Sequence, residues 1–198
     1  TFPYGKIKQD NYLIAIRNAK ELHSSNGERD LEWISLGPEN IGGRITDLAC
    51  NPQEPATVYI ATASGGIYKT TDTGLTWQQI FTDAPVISIG DIALDPNNSM
   101  VVYAGTGEAN ASSYSFLGDG LWKSTDSGES WTHSGLESSA YIARIIVDYN
   151  NSDRVFAATC GTLFSSSSER GVYRSADGGE SWEQVLFLTD STAAIDLR

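Results

Sequence analysis

An all-β fold built from repeated four-stranded units is predicted by three observations on this 198-residue chain. First, one turn pattern occurs three times, as Thr70 to Trp77, Ser124 to Trp131 and Ser175 to Trp182, each obeying S/T-x-D-x-G-x-S/T-W. Its aspartates, Asp72, Asp126 and Asp177, stand 54 and 51 residues apart. Second, 19 glycines with abundant Ser, Thr, Asp and Asn imply many tight turns. Third, pairs suited to strands recur in step with the turn, at Val58-Tyr59, Val102-Tyr103 and Val155-Phe156. Four short antiparallel strands in about 50 residues make one blade of a β-propeller.

Each unit reads in the same order. An apolar strand and a polar turn come first: Ile45 to Ala49 then Asn51-Pro52, Ile92 to Leu94 then Asp95 to Asn98, and Ile145 to Val147 then Asn150-Asn151. The Val-aromatic pair opens the second strand. A glycine and a short third strand follow, at Gly66 to Lys69, Gly120 to Lys123 and Gly171 to Arg174, and the motif Trp starts the fourth. Gly and Trp are 11 residues apart in every copy, whereas the interval from Val to Gly is 8, 18 and 16. All the length variation falls in the loop between second and third strands, which separates a fixed frame from a variable site.

The same ruler places blade one at 44–81, blade two at 90–134 and blade three at 142–187. Trp33 lies 25 residues before Val58, which assigns 32–36 to an outer closing strand, and 193–198 matches the first strand of a further blade. A ring needs about four blades or more. The sequence therefore reads as part of a longer protein whose remaining blades complete the disc. Residues 1–31 differ in character: Tyr12, Leu13, Ile16, Ala19 and Leu22 recur at helical spacing after Asp10, a candidate N-cap, with Asn26-Gly27 as the stop. They predict a short N-terminal helix.

Composition narrows the function. A formal charge of −12 argues against nucleic acid, because phosphate recognition needs clustered Lys and Arg. No stretch approaches the roughly 20 apolar residues that span a bilayer. Cys50 and Cys160 do not make a disulfide framework, and His23 and His133 lack metal-ligand spacing, so neither metal nor cofactor is expected. The repeated motif has structural duties throughout. Its Asp accepts hydrogen bonds from the turn's own backbone, Gly74, Gly128 and Gly179 supply positive φ, and Trp77, Trp131 and Trp182 bury large rings.

On this motif the chain resembles the Asp-box, or BNR, repeat propellers, among them sialidases, sortilin-type receptors and xyloglucan-cleaving endoglucanases. Gly37 to Arg44, Gly105 to Glu108 and Glu169 to Gly171 also resemble a class of exported bacterial propellers described as glycosyl hydrolase-like or sortilin-like. The resemblance covers residues 31–198. It implies a secreted or cell-surface protein, its leader removed, with the boxes on the face opposite the ligand site.

The variable loops share a rim with the crossovers 82–90 and 134–143. There the sequence gathers Glu108, Asn110, Tyr114, Phe116 and Asp119 from the second unit, and Glu169 and Arg170 from the third. Arg44 and Arg144 stand at the entrances of inner strands. Stackable rings beside hydrogen-bonding groups suit a glycan or a peptide. Each residue also has a structural role to weigh: Glu169-Arg170 as a local ion pair, Arg44 as a partner of channel carbonyls, Tyr114 and Phe116 as packing for their own loop. Glu108 leads the candidates and is the one catalytic candidate.

A glycoside hydrolase needs paired carboxylates, for which Glu108, Asp119 and Glu169 are available. In the xyloglucan-cleaving family a catalytic Asp stands just before a Gly-Gly-x-Tyr strand. Alignment on Gly65-Gly66-Ile67-Tyr68 puts Ala63 at that place, where no proton can be exchanged. The expected function is an extracellular binding module for protein, peptide or glycan. The alternatives are a hydrolase with carboxylates partly in other blades, and a purely structural module of a surface protein.

Overall fold

The computed structural model describes residues 9–25, 43–112 and 115–198. The expected closing strand 32–36 and Tyr114 lie outside the described residues. The chain divides into two compact units, Thr1–Gly43 and Arg44–Arg198. In the first, helix α1 spans Gln9–Ser25. It begins one residue before Asp10, so this carboxylate lies in the first turn and faces the positive end of the helix dipole instead of capping it. Leu13 is buried, Tyr12 and Ile16 are half-buried and Ala19 is exposed. The buried stripe is thus narrower than the apolar spacing suggests. Among the described residues no helix is long and apolar enough to cross a membrane.

The second unit is all-β and consists of three propeller blades, each a four-stranded antiparallel sheet with its strands in chain order. Blade one holds β1 (Ile45–Cys50), β2 (Val58–Thr62), β3 (Ile67–Thr70) and β4 (Gln78–Gln79). Blade two holds β5 (Ile89–Asp95), β6 (Asn98–Thr106), β7 (Leu121–Ser124) and β8 (Thr132–His133). Blade three holds β9 (Ile142–Asp148), β10 (Asn151–Cys160), β11 (Arg170–Ser175) and β12 (Glu183–Leu186). Each fourth strand begins one residue after the motif Trp. The pairing registers superpose the repeats: Val58 faces Cys50, Val102 faces Leu94 and Val155 faces Val147.

Single sheets this small cannot bury their own apolar faces, and the core accordingly lies between blades. Tyr59, Ala61, Ile67 and Phe81 of blade one and its following crossover pack with Ile89, Ile92, Val102 and Ala104 of blade two. Tyr103 and Leu121 of blade two pack with Ile142, Ile145, Val155 and Ala157 of blade three. The two seams use equivalent positions, as a repeat requires.

The repeated turns close on themselves. The carboxylate of Asp72 accepts from the Thr70 hydroxyl at 2.7 Å, the Thr76 amide at 2.9 Å and the Thr76 hydroxyl at 2.6 Å. Asp126 repeats this with Ser124 and Ser130, and Asp177 with Ser175 and Ser181. Gly74, Gly128 and Gly179 all have φ near +90°. Hydrogen bonds from the Thr76 and Ser130 side chains, followed by those from their amides, hold Asp72 and Asp126 down to about 2, and Asp177 is lowered in the same way. These carboxylates stay charged and satisfied at neutral pH, which suits bracing and not proton exchange.

The turns also join the blades. Tyr59 Oη and Lys69 Nζ both donate to the Ser127 carbonyl, at 3.2 and 3.0 Å. Tyr103 Oη and Lys123 Nζ do the same to Gly178, at 2.9 and 2.8 Å. Each blade thus grips the Asp-containing turn of the next. In the reverse direction, Trp131 Nε1 donates to the Ile80 carbonyl at 2.8 Å and Trp182 Nε1 to Ser134 at 2.7 Å. Residues 193–198 carry no assigned strand pairing, and are held to blade three by the Ala194 amide on the Thr159 carbonyl at 3.3 Å.

Candidate functional site

One position of the inner strands recurs in all three blades. Asp47 faces Ala61, Asp91 faces Gly105 and Arg144 faces Ala158, each three residues before the position opposite the valine that opens the repeated pair. Each aspartate latches onto the next blade: Asp47 Oδ2 accepts from the Ile92 amide at 3.2 Å and Asp91 Oδ2 from the Ile145 amide at 2.7 Å. In blade three the charge is reversed. Arg144 Nη1 reaches back to Asp91 Oδ1 at 3.2 Å and stands 3.8 Å from Asp47 Oδ1. Its Nε lies 3.8 Å from Asp196 Oδ1.

Arg198 Nε also meets Asp196, at 3.4 Å from Oδ2, so the unbalanced part is Arg144 between Asp91 and Asp47. Asp91 is pushed up to about 7, first by burial and next by the charge of Asp47, which together outweigh the Ile145 amide and Arg144. Below neutral pH Asp91 therefore carries a proton beside Asp47.

The start of the second-blade loop, residues 107–111, completes the site. Gly107 has φ +81°, and its amide donates to the Ser88 carbonyl at 2.8 Å. A Cβ there would stand 2.0 Å from the Ala140 carbonyl oxygen, so only glycine lets the loop start between these crossovers. Gly107→Ala should therefore cost about 3 kcal/mol in urea unfolding, from left-handed strain plus the clash. Glu108, next in the chain, is fully buried and accepts from Arg44 Nη2 through Oε2.

A cavity of about 490 Å³ joins these parts, lined by Asp47, Asp91, Arg144, Asp196, Glu108 and Asn110 among others. In two of the lining residues a polar atom, Glu108 Oε1 and Arg144 Nε, is buried and without a hydrogen-bond partner among the described residues, the latter 3.8 Å from Asp196 Oδ1. Cys160 also lines it, but burial pushes its thiol up to about 11, so it stays protonated and unreactive.

Of the described candidates, Glu108 and Asn110 line the cavity and Arg44 pairs with Glu108, whereas Phe116, Asp119, Glu169 and Arg170 do not line it. Phe116 is 51% exposed and its carbonyl accepts from the Glu108 amide at 3.3 Å. Asp119 is buried, accepting from Trp122 Nε1 at 2.9 Å and, through its own amide, donating to Thr106 Oγ1 at 2.8 Å. Glu169 and Arg170 turn to different partners. Glu169 accepts from Ser168 and Tyr173, whereas Arg170 donates to the Thr162, Leu163 and Ser165 carbonyls of its own loop.

Sequence reasoning missed Asp47, Asp91 and Asp196. A usable signal existed. Asp47 lies 14 residues after Trp33, Asp91 14 after Trp77 and Asp196 14 after Trp182, with Arg144 13 after Trp131.

No family model matches the chain. It is 29% identical over 175 residues to xyloglucanase Xgh74A of Acetivibrio thermocellus, covering 71% of this chain and 20% of that protein. The chain thus spans about a fifth of the length of this relative. Among solved structures, an ancestral GH74 enzyme superposes with a TM-score of 0.62 at 27% identity, over 77% of this chain and 19% of that one. The Niastella koreensis GH74 enzyme gives 0.53 at 24% identity, over 72% of this chain and 22% of the other, a likeness of fold.

Proposed function

We propose that this chain is part of an extracellular, glycan-recognising propeller of the Asp-box type, and that the inner-strand cavity is its saccharide site. One observation carries the reading. Glu108, Asn110, Asp47, Asp91 and Arg144 line one cavity of about 490 Å³, so carboxyl, amide and guanidinium groups share its wall, and Glu108 Oε1 is buried without a hydrogen-bond partner among the described residues. Leaving such a group unbonded is costly. Sugar hydroxyls donate to carboxylates and accept from a guanidinium, so a saccharide matches this mixed lining. The volume falls within the usual range for a small-molecule site, and the similarity to xyloglucanases supports a glycan over a peptide. Ala63, buried at the position that the xyloglucan-cleaving resemblance assigns to a catalytic Asp, supports binding over cleavage in these blades. Calorimetry with xyloglucan oligosaccharides should give saturable binding that Glu108→Gln weakens about tenfold or more. Absence of binding to any glucan oligosaccharide would overturn the proposal.

A hydrolase is the second reading, favoured by the raised pKa of Asp91 beside a second carboxyl group, Asp47, since a general acid needs such a shift and a partner carboxylate. It requires release of reducing ends that Asp91→Asn abolishes. The engagement of both Asp91 oxygens, by Arg144 and by the Ile145 amide, weighs against it.

A further inference from the structure

We propose that Arg44 is a positioning residue for this cavity: it touches no ligand, and through Glu108 it fixes the gap between the blade-one wall and the loop wall. The inference rests on the glycan reading and adds to it the residue that holds the site in its binding shape.

The two walls come from different sheets. Blade one contributes Thr46 and Asp47 of β1, and the second-blade loop contributes four consecutive residues, Glu108, Ala109, Asn110 and Ala111. Arg44 stands two residues before Thr46 and does not itself line the cavity. Its carbonyl accepts from the Ala63 amide at 3.0 Å, which pins its backbone to the chain just beyond β2. From there its Nη2 donates to Glu108 Oε2, a bond that spans 64 residues of sequence and crosses from blade one to the loop. The other bonds at the start of the loop lead elsewhere. The Gly107 amide donates to the Ser88 carbonyl in the preceding crossover and the Glu108 amide to Phe116 of the same loop. The Asn110 carbonyl accepts from Ser115 Oγ at 3.0 Å. These bonds shape the loop, whereas Arg44 sets its distance from β1.

Burial makes the bond effective. Glu108 is fully buried, while half of the Arg44 side chain is exposed. A carboxylate in that setting depends on a charged partner, and a charge-assisted hydrogen bond is stronger than a neutral one. The contact runs through one nitrogen and not a fork, so charge and reach matter more here than the guanidinium plane. A ligand that bridges the two walls gains affinity when their separation is fixed before it arrives, because less ordering remains to be done on binding.

The test is calorimetric binding of a xyloglucan oligosaccharide to Arg44→Gln, Glu108→Gln and the double variant, each first shown to be folded by its urea midpoint. Arg44→Gln should weaken binding about tenfold, as Glu108→Gln does, and Arg44→Lys should restore it to within about threefold of the parent. In the Glu108→Gln background, Arg44→Gln should change affinity by less than about twofold, because its effect runs through Glu108. If Arg44→Gln alone does not fold, the double variant, which strands no buried charge, still reads this coupling. A further loss of about tenfold in that background would overturn the proposal by making Arg44 a direct ligand contact. Parental affinity in Arg44→Gln would overturn it as well, by reducing the pair to a brace between blades. Failure of the parent to bind any glucan oligosaccharide would overturn the glycan reading, and this role with it.

Discussion

Asp91→Asn should flatten the pH dependence of stability between about pH 4 and pH 7 and make the protein more stable than its parent above that window. Asp91 titrates near 7 in the fold, against an ordinary value near 4 in the unfolded chain. In this window the native state holds the proton more tightly, so stability falls as pH rises, by at most about 1.4 kcal/mol per unit. An asparagine keeps the acceptor for the Ile145 amide and replaces the proton beside Asp47 with a permanent N–H donor, giving up the bond that Oδ1 accepts from Arg144. Asp91→Ala, by contrast, strands that amide in a buried seam and should cost about 1–3 kcal/mol at every pH. The turn carboxylates act with opposite sign. Asp72, Asp126 and Asp177 are lowered in the fold, so their contribution is complete above about pH 4 and is lost as pH falls toward 2. Urea midpoints measured across pH for parent and Asp91→Asn check this; parallel curves would remove Asp91 as the source of the neutral-side slope.

The blades were legible because their signals are local. Turn chemistry, the fixed interval from Gly to Trp and the Val-aromatic pairs all act within one unit, and three copies make each signal check the others. The site was legible only in its loop half. Glu108 was visible beside Gly107, but its pairing with Arg44, 64 residues away, depends on how two sheets stack, which no local pattern encodes. Arg170 illustrates the same limit, since its three carbonyl partners follow from the path of its loop. The inner-strand aspartates escaped for a different reason. A polar residue in a short strand reads as its solvent-facing side, and the distance from the preceding Trp, 14 residues for Asp47 and Asp91 but 13 for Arg144, only approximates the equivalence that the strand pairing shows. That one of the three carries the opposite charge is what turns a set of identical latches into a cavity with a mixed lining.

Trp131→Ala should destabilise the protein by about 3 kcal/mol, near the lower end of the range for removing a packed indole, because the ring is part-buried. Its ring meets Phe81 edge-on with centroids 5.1 Å apart, and Phe81, itself fully buried, meets Trp122 at 5.9 Å. Its indole N–H also satisfies the Ile80 carbonyl just beyond β4. The loss is therefore a loss of the seam between blades one and two, although Trp131 belongs to the turn of blade two. Trp131→Phe should recover most of the packing and leave the Ile80 and Gly128 carbonyls without the indole donor they share, at a cost of about 1 kcal/mol. Trp77 ends the same motif but is 43% exposed, so Trp77→Ala should cost less than half as much as Trp131→Ala. Urea unfolding with an unchanged m-value reads all three differences. Equal losses at positions 77 and 131 would mean that each tryptophan braces only its own turn, and the seam would then have to be held by the Tyr59 and Lys69 bonds to Ser127 and by the apolar contacts around Ile92 and Val102.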